Sequence, residues 1–197
     1  TKLRSWLTFI GHMKDSLWSI DFFRCESVSL KTHWVMIVMD QFTRRIIGFS
    51  VHPEVLTGAD ICVMFNKIIS GKKPPKYLSS DNDPLFRFHR WQTNLRILDI
   101  DEIKSVPYTP TSHPFIERLI GTTRREFLDH TLFFNAKDLI RKLNDYQSYY
   151  NSKRGHSSLA RSTPTKKAEE KALGTISLNN YRWEKHARGL FDLPIAA

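Results

Sequence analysis

The sequence predicts an α/β domain in which a mixed five-stranded central sheet is flanked by helices. Three apolar strands follow one another with short turns between them, as in a hairpin meander. Two further strands each follow a helix, and a sheet that begins with a meander cannot be wholly parallel. The later segments carry apolar residues at three- and four-residue steps, the pattern of helices that cover a core.

The first three predicted strands are separated by short turns. Residues 19–28 form the first, and residues 32–40 form a near-continuous apolar run that is typical of a strand covered on both faces. Residues 45–51 close the meander. The turn before them places Asp40 and Thr43 where they can bond the local backbone, so we interpret Asp40 as a turn residue rather than a catalyst.

The remaining elements begin at capping or turn residues. The pattern predicts a helix capped by Thr57 and ending at Ile69, a short strand at 74–81, a helix from Pro84 to about Leu95, an edge strand at 101–107, a helix within 111–128, and a helix capped by Asn135 that runs to about Tyr150. From Ser162 onward the composition becomes charged and irregular. Trp183 lies there among cations, as on a nucleic-acid surface, although a solvated tail that docks Trp183 and Phe191 on the core is the favoured interpretation.

The composition favours a polyanionic partner. The 197 residues include 30 Lys and Arg against 20 acids, a net charge of +10, which suits nucleic acid or an acidic membrane surface. No apolar run reaches the roughly 18 residues of a membrane span, and the first residues lack the apolar core of a secretory signal. Cys25 and Cys62 are too few for a disulfide framework or a cysteine zinc site, so we expect a reducing compartment. The chain does not begin with Met, so we expect it to be part of a longer protein.

Three acids from three separate elements form a candidate metal site. Asp21 lies within the first strand, where aspartate is depleted, Asp81 ends another strand, and Glu117 lies at the edge of the apolar stripe of a helix. Carboxylate oxygens are the ligands that Mg²⁺ and Mn²⁺ prefer. Two such ions about 4 Å apart can activate a water or a 3′ hydroxyl and stabilise the charge on phosphorus, as phosphodiester cleavage or exchange requires.

Each acid taken singly has a structural explanation. A strand aspartate can bond the neighbouring backbone, an aspartate before Asn-Asp-Pro can make a turn, and a helical glutamate is usually solvated. Only the combination favours the catalytic interpretation.

The helix that carries Glu117 also carries basic residues. Gly121 and Arg124 share the side of Glu117, and a glycine there leaves room for a bulky group near the backbone. Arg118, Arg124 and Arg125 are candidate phosphate contacts. His113 precedes the helix and is a candidate for contact with a phosphate or nucleophile, although a loop-capping histidine is equally compatible.

Several motifs resemble those of the integrase core shared by retroviral integrases and DDE insertion-sequence transposases. The resemblance rests on the segments at 18–22, 38–48, 80–81 and 117–126, and on the 35 residues that separate Asp81 from Glu117. The segments at 149–159 and 163–164 resemble the closing signature of the bacterial branch. The resemblance thus covers roughly residues 18–164.

This resemblance implies a fold and an activity. It implies an RNase H-like core at residues 18–158, between a lead-in helix at 1–17 and a basic C-terminal extension at 159–197. Asp21, Asp81 and Glu117 would hold two Mg²⁺ or Mn²⁺ ions, and the protein would join DNA ends into target double-stranded DNA as a homo-oligomer in the bacterial cytoplasm. A nuclease that hydrolyses without joining, or a DNA-binding protein without turnover, would carry the same fold.

The sequence departs from the family pattern at two places. Many relatives have glycine two residues after the second acid, where this chain has Asp83, and an asparagine-containing segment before the glutamate, where it has His113-Pro114. Either change would alter a loop while leaving the three carboxylates in place.

Overall fold

A mixed five-stranded sheet lies at the centre of the protein, as shown by a computed structural model that describes residues 15–53, 55–81, 83–104, 114–169, 181–186 and 191–196. The strands are β1 Leu17–Glu26, β2 Thr32–Asp40, β3 Ile46–His52, β4 Tyr77–Ser80 and β5 Asp101–Lys104. Their spatial order is β3-β2-β1-β4-β5. The β1–β2 and β2–β3 pairs are antiparallel, whereas the β1–β4 and β4–β5 pairs are parallel. The predicted fold class and the position of β5 at the sheet edge are therefore confirmed.

Helices cover both faces of this sheet. They are α1 Gly58–Ile69, α2 His89–Ile97, α3 Pro114–Glu126, α4 Ala136–Ser152 and the short α5 Pro164–Glu169. One hydrophobic cluster joins the sheet to α1 and α2, with Trp18, Ile20, Phe65, Phe86 and Trp91 at its centre. A second cluster joins the opposite face to α3 and α4, through Phe23, Ile37, Ile116, Leu119 and Leu143. Burial of each large apolar side chain stabilises the fold by about 1.5–3 kcal/mol.

Several predicted boundaries differ from the structure by a few residues, and one predicted helix is divided. The helix expected from Pro84 to Leu95 is divided into a 3₁₀ helix, Pro84–Arg87, and α2, because Phe88 adopts an extended conformation. The division lets Phe86 stack on the Phe22 ring at 5.1 Å between centroids. Leu17, assigned to the lead-in helix, is instead a β1 residue paired with Tyr77, while residues 1–14 lie outside the described residues.

The interpretation of Asp40 as a turn residue is confirmed. Its Oδ2 accepts hydrogen bonds from the Thr43 backbone N–H at 3.1 Å and from the Thr43 hydroxyl at 2.5 Å. The carboxyl is fully buried, and burial raises its pKa while the two Thr43 bonds oppose that rise. Asp40 therefore closes the β2–β3 turn.

The C-terminal extension contains regular structure that the sequence analysis did not predict. Strands β6 Tyr181–His186 and β7 Phe191–Ala196 pair as an antiparallel two-stranded sheet, with Trp183 opposite Pro194. The alternation of large and charged residues at 181–186 has the period of a strand, and its high charge obscured that pattern. Among the described residues, no helix is long and apolar enough to span a bilayer.

The start of α1 gives a test of the local structure. Thr57 and Asp60 form a capping box, in which Asp60 Oδ2 accepts from the Thr57 backbone N–H at 2.9 Å. Thr57→Ala is expected to lower the free energy of unfolding by about 1 kcal/mol, because it leaves an N-terminal amide of the helix without its acceptor. Thr57→Ser keeps the hydroxyl and serves as the control in urea denaturation. Equal stability of the two variants would contradict the assignment of the cap.

Candidate active site

Asp21 lies on the face of the sheet that α3 covers. Its neighbour two residues along, Phe23, packs in the cluster that contains Ile116 and Leu119 of α3, and side chains two residues apart in a strand share a face. One carboxylate oxygen, Oδ1, accepts a hydrogen bond from the Phe22 backbone N–H at 2.7 Å. The strand therefore presents a partly buried carboxylate to the helix that carries Glu117.

Asp81 directly follows β4, beside Asp21. The parallel register pairs Leu17 with Tyr77 and Ser19 with Ser79. Continuing that register by two residues brings Asp81 opposite Asp21. Asp81 Oδ1 accepts from the backbone N–H of Asp83 at 3.0 Å, so the turn after β4 orients this carboxylate.

Glu117 lies in the first turn of α3 and is exposed. At about 100° per residue, Glu117 and Arg124 lie on one flank of the buried stripe of the helix. Arg124 fixes that flank to β1, because its guanidinium donates to the Arg24 carbonyl at 2.9 Å and lies over the Phe23 ring at 5.3 Å. These contacts place Glu117 on the side of α3 that faces Asp21.

The charges of the acids affect one another. Burial raises the pKa of Asp21 to about 7, the Phe22 hydrogen bond opposes that rise, and the carboxylates of Asp81, Glu117 and Asp83 raise the pKa further. Burial also raises the pKa of Asp81, against a hydrogen bond from Asp83 and the nearby charge of Lys104. The pattern of a desolvated carboxylate surrounded by other carboxylates is one that a divalent cation relieves.

The arrangement is not a closed metal cage. Within the part of the chain that the structure describes, no three His, Cys, Asp or Glu side chains lie close enough together to hold one metal ion. The donor set nevertheless has the chemistry of a magnesium site, since Asp21, Asp81 and Glu117 offer only hard oxygen ligands and interact through their charges.

The candidate DNA contacts have different surroundings. Arg118 is exposed and lines a cleft on the other flank of α3. Arg124 is engaged with Arg24, as described above. Exposed Arg125 occupies the space beside Gly121, where an added Cβ would lie 3.1 Å from the Arg125 Nη1. His113 lies outside the described residues.

Two features of the region escaped the sequence analysis. Asp83 was noted only as a departure from a family glycine, yet its charge contributes to the raised pKa of Asp21, and its own carboxylate accepts from the Leu85 backbone N–H at 2.8 Å. Arg44 was treated only as part of a turn, although it lines the cleft beside Arg118. The Asp-Pro pair at 83–84 is a capping signal that marks Asp83, whereas no local pattern marks Arg44.

Comparison with known proteins supports the resemblance seen in the sequence. Residues 98–164, which include the Glu117 helix and the segment after α4, match the family model of the integrase core domain. Over this segment the chain is similar to integrase core domains. The resemblance inferred from the motifs is thereby confirmed.

Two curated proteins that are similar to this chain come from insertion elements. The chain is 26% identical over 152 residues to the uncharacterized 39.2 kDa protein of insertion element IS476 from Xanthomonas euvesicatoria, a match that covers 77% of this chain and 44% of that protein. It is 24% identical over 144 residues to the transposase for insertion sequence element IS904 from Lactococcus lactis subsp. lactis, covering 68% of this chain and 53% of the relative. The chain spans about half the length of the curated relatives it matches.

Solved structures show the same fold as this chain. The catalytic core domain of HTLV-2 integrase in complex with magnesium has a TM-score of 0.63 at 17% identity, covering 81% of this chain and 99% of that one. The simian T-cell lymphotropic virus intasome in complex with a PP2A regulatory subunit, B56 gamma, has a TM-score of 0.71 at 15% identity, covering 93% and 67% of the two chains. The predicted RNase H-like architecture is therefore confirmed.

Proposed function

We propose that this chain is the catalytic core of a bacterial transposase that cleaves DNA strands and joins them to target DNA. The proposal is supported by the β1–β4 register, which when continued brings Asp81 opposite Asp21, and by the charges of Asp81 and Glu117, which add to the rise that burial causes in the pKa of Asp21. The integrase core domain and the relationship to an insertion-sequence transposase support the same activity.

The three acids would hold divalent metal ions. Asp21 and Asp81 would share one Mg²⁺ or Mn²⁺, and Asp21 and Glu117 a second. When bound, these ions would activate the attacking hydroxyl or water and stabilise the negative charge on phosphorus. The bond from the Phe22 N–H holds one Asp21 oxygen, and the bond from the Asp83 N–H holds one Asp81 oxygen, so the local backbone orients both carboxylates.

The surrounding cations have separate roles in this proposal. Arg118 and Arg125 are exposed on α3 and would contact DNA phosphates, as would His113. Arg124 would chiefly hold the helix on β1, because its guanidinium binds the Arg24 carbonyl. With a net charge of +10, the chain would bind double-stranded DNA with an affinity that falls steeply as salt is added. Two DNA ends joined in one event imply a homo-oligomer, acting in the bacterial cytoplasm.

Incubation with preprocessed DNA ends and a target duplex tests this function. We expect a Mg²⁺-dependent product longer than the donor strand, absent in EDTA and restored by Mn²⁺. Shortened products alone would identify a nuclease on the same fold. DNA binding without any covalent product in either metal would contradict the catalytic proposal.

A further inference from the structure

A cleft on the opposite flank of α3 from Glu117 gathers positive charge. Its volume is about 310 Å³. The polar lining consists chiefly of Arg44, Arg118, Arg154, His156, Ser157 and Ser158, which come from the β2–β3 turn, α3 and the segment after α4. The acids proposed for catalysis do not line this cleft, so its chemistry needs a separate explanation.

Arg44 brings a partly unpaired cation to the cleft. Its backbone has a φ of 62° and donates to the Asp40 carbonyl at 2.9 Å, which fixes the direction of the side chain. The guanidinium carbon lies 3.3 Å from the centre of the Phe115 ring. Its Nη1 is buried and has no hydrogen-bond partner among the described residues. Burial lowers the pKa of Arg44 to about 10, against the nearby Tyr150 and Asp40, while Arg118 lowers it further, so the group is still charged at neutral pH.

His156 contributes a buried ring, and burial lowers its pKa while a hydrogen bond with the Tyr150 backbone opposes that change. Arg154 Nη1 lies 3.2 Å from His156 Nδ1, and a guanidinium can only donate, so Nδ1 must accept. The proton of the neutral ring is therefore on Nε2. That atom is buried and has no partner among the described residues, in a residue that is only 7% exposed. An unsatisfied buried donor is costly, and an acceptor at this position would remove the cost.

Hydrogen bonds and ring packing fix the segment after α4, which carries His156 and the two serines. The His156 N–H donates to the Ser162 carbonyl at 3.0 Å, and the Arg161 N–H returns to the His156 carbonyl at 2.8 Å. The His156 ring packs edge-on against Tyr150 with centroids 4.6 Å apart. At Gly155 an added Cβ would lie 2.9 Å from the Arg161 carbonyl oxygen, so the backbone approach requires glycine. The donors are therefore preorganised by the fold.

The charge of the cleft is only partly compensated. Glu126 pairs with Arg154 through bonds of 2.7 and 2.6 Å, and Asp40 lies near enough to Arg44 to raise its pKa. Arg118 is exposed at the mouth of the cleft, beside the hydroxyls of Ser157 and Ser158, which are also exposed. Guanidinium groups, an imidazole N–H and hydroxyls together form a donor set complementary to the oxygens of a phosphate.

We infer that this cleft binds a phosphate of the DNA backbone through Arg44, Arg118, His156 and the two serines. The inference rests on the proposed strand-transfer function, because it takes DNA as the ligand. Arg118 follows Glu117 directly in α3, and the diameter of a helix with its side chains is about 10 Å, roughly three nucleotide steps of 3.4 Å. A strand that reaches the acids on one flank of α3 can therefore reach the cleft on the other.

DNA affinity measured in EDTA tests the cleft without any contribution from catalysis. Fluorescence anisotropy with a labelled mixed-sequence duplex compares the wild type with Arg118→Ala, His156→Phe and Ser157→Ala across a range of salt. Arg96→Ala removes an exposed arginine of α2 outside the cleft and is the charge-matched control. His156→Phe keeps a ring against Tyr150, and exposed Ser157 gives a second variant that perturbs folding less.

Each variant has its own expected signature. Arg118→Ala should bind about tenfold more weakly than Arg96→Ala, and its slope of log affinity against log salt should fall by about one, the change for one lost phosphate contact. His156→Phe should lose roughly threefold or more in affinity with the slope unchanged, because a neutral donor is removed. Inorganic phosphate should raise the melting temperature of the wild type more than that of Arg118→Ala.

Other results would overturn the inference. If the cleft variants bind DNA as tightly as Arg96→Ala does, the cleft does not contact DNA. If phosphate raises the melting temperature but the variants bind DNA with unchanged affinity, the cleft binds a free anion instead. Failure of the wild type to bind DNA would refute the proposed function as well. If Glu117→Gln loses strand joining while its DNA affinity in EDTA and its response to inorganic phosphate stay unaltered, the two proposals are separated.

Discussion

Glu117→Gln is expected to reduce Mg²⁺-dependent strand joining by about 10³-fold, equivalent to roughly 4 kcal/mol of transition-state stabilisation. The substitution keeps the size of an exposed helical side chain but removes the charge that would complete the second metal position. Because Glu117 lies on the surface of α3, the fold should be unaffected, so the melting temperature should stay close to that of the wild type. The rate of product formation with preprocessed DNA ends is the measurement.

The matched control for Glu117→Gln is Glu169→Gln, which removes the same charge from an exposed position on α5. That variant should join DNA at the wild-type rate. DNA affinity in EDTA should be the same or slightly higher for Glu117→Gln, because a negative charge is lost near the phosphates. Full joining activity in Glu117→Gln would remove this residue from the proposed metal site.

Asp21→Asn is expected to stabilise the metal-free protein above pH 7, by on the order of 2–4 kcal/mol. The pKa of Asp21 is about 7 in the folded chain against an ordinary value of 3.8, so between these two values the folded state binds a proton that the unfolded state has released. This carboxyl therefore lowers stability progressively as the pH rises from about 4 to about 7, and the full penalty is present above pH 7. Asparagine carries no such charge and keeps an oxygen for the Phe22 N–H.

Urea denaturation in EDTA across this pH range measures the effect, with Asp145→Asn on the exposed face of α4 as the control. The difference in stability between wild type and Asp21→Asn should grow with pH, whereas the Asp145→Asn curve should run parallel to the wild type. Adding Mg²⁺ should stabilise the wild type and leave Asp21→Asn unchanged, because the ion offsets the repulsion between carboxylates. Parallel curves for Asp21→Asn and wild type would show that the Asp21 charge is not desolvated.

The elements predicted correctly from the sequence are those in which local residue preferences and tertiary packing favour the same structure. The apolar run of β2 has both predicted boundaries, and the Thr57 and Asn135 caps begin α1 and α4 as expected. The segment at 84–95 has a helical stripe throughout, but packing of Phe86 against Phe22 interrupts it at Phe88. That contact joins distant parts of the chain, so no local pattern could reveal it.

The candidate site was predicted through residue type and the elements that carry each acid. Asp21 and Asp81 could be singled out because aspartate is depleted within strands and because α/β sheets place their ligands at strand ends. Whether Asp21 and Asp81 lie side by side depends on the register between β1 and β4, and that register follows from packing of the whole sheet. The arginine cleft could not be predicted, since Arg44 and His156 meet only when the β2–β3 turn lies against the segment after α4.

The central claim is that Asp21, Asp81 and Glu117 share divalent metal. A crystal structure of the protein soaked in Mn²⁺, with anomalous difference maps, tests it most directly. We expect an anomalous peak bound by carboxylate oxygens of both Asp21 and Asp81, and a second peak that includes Glu117 when DNA is present. Manganese bound elsewhere while these three carboxylates coordinate none would contradict the account.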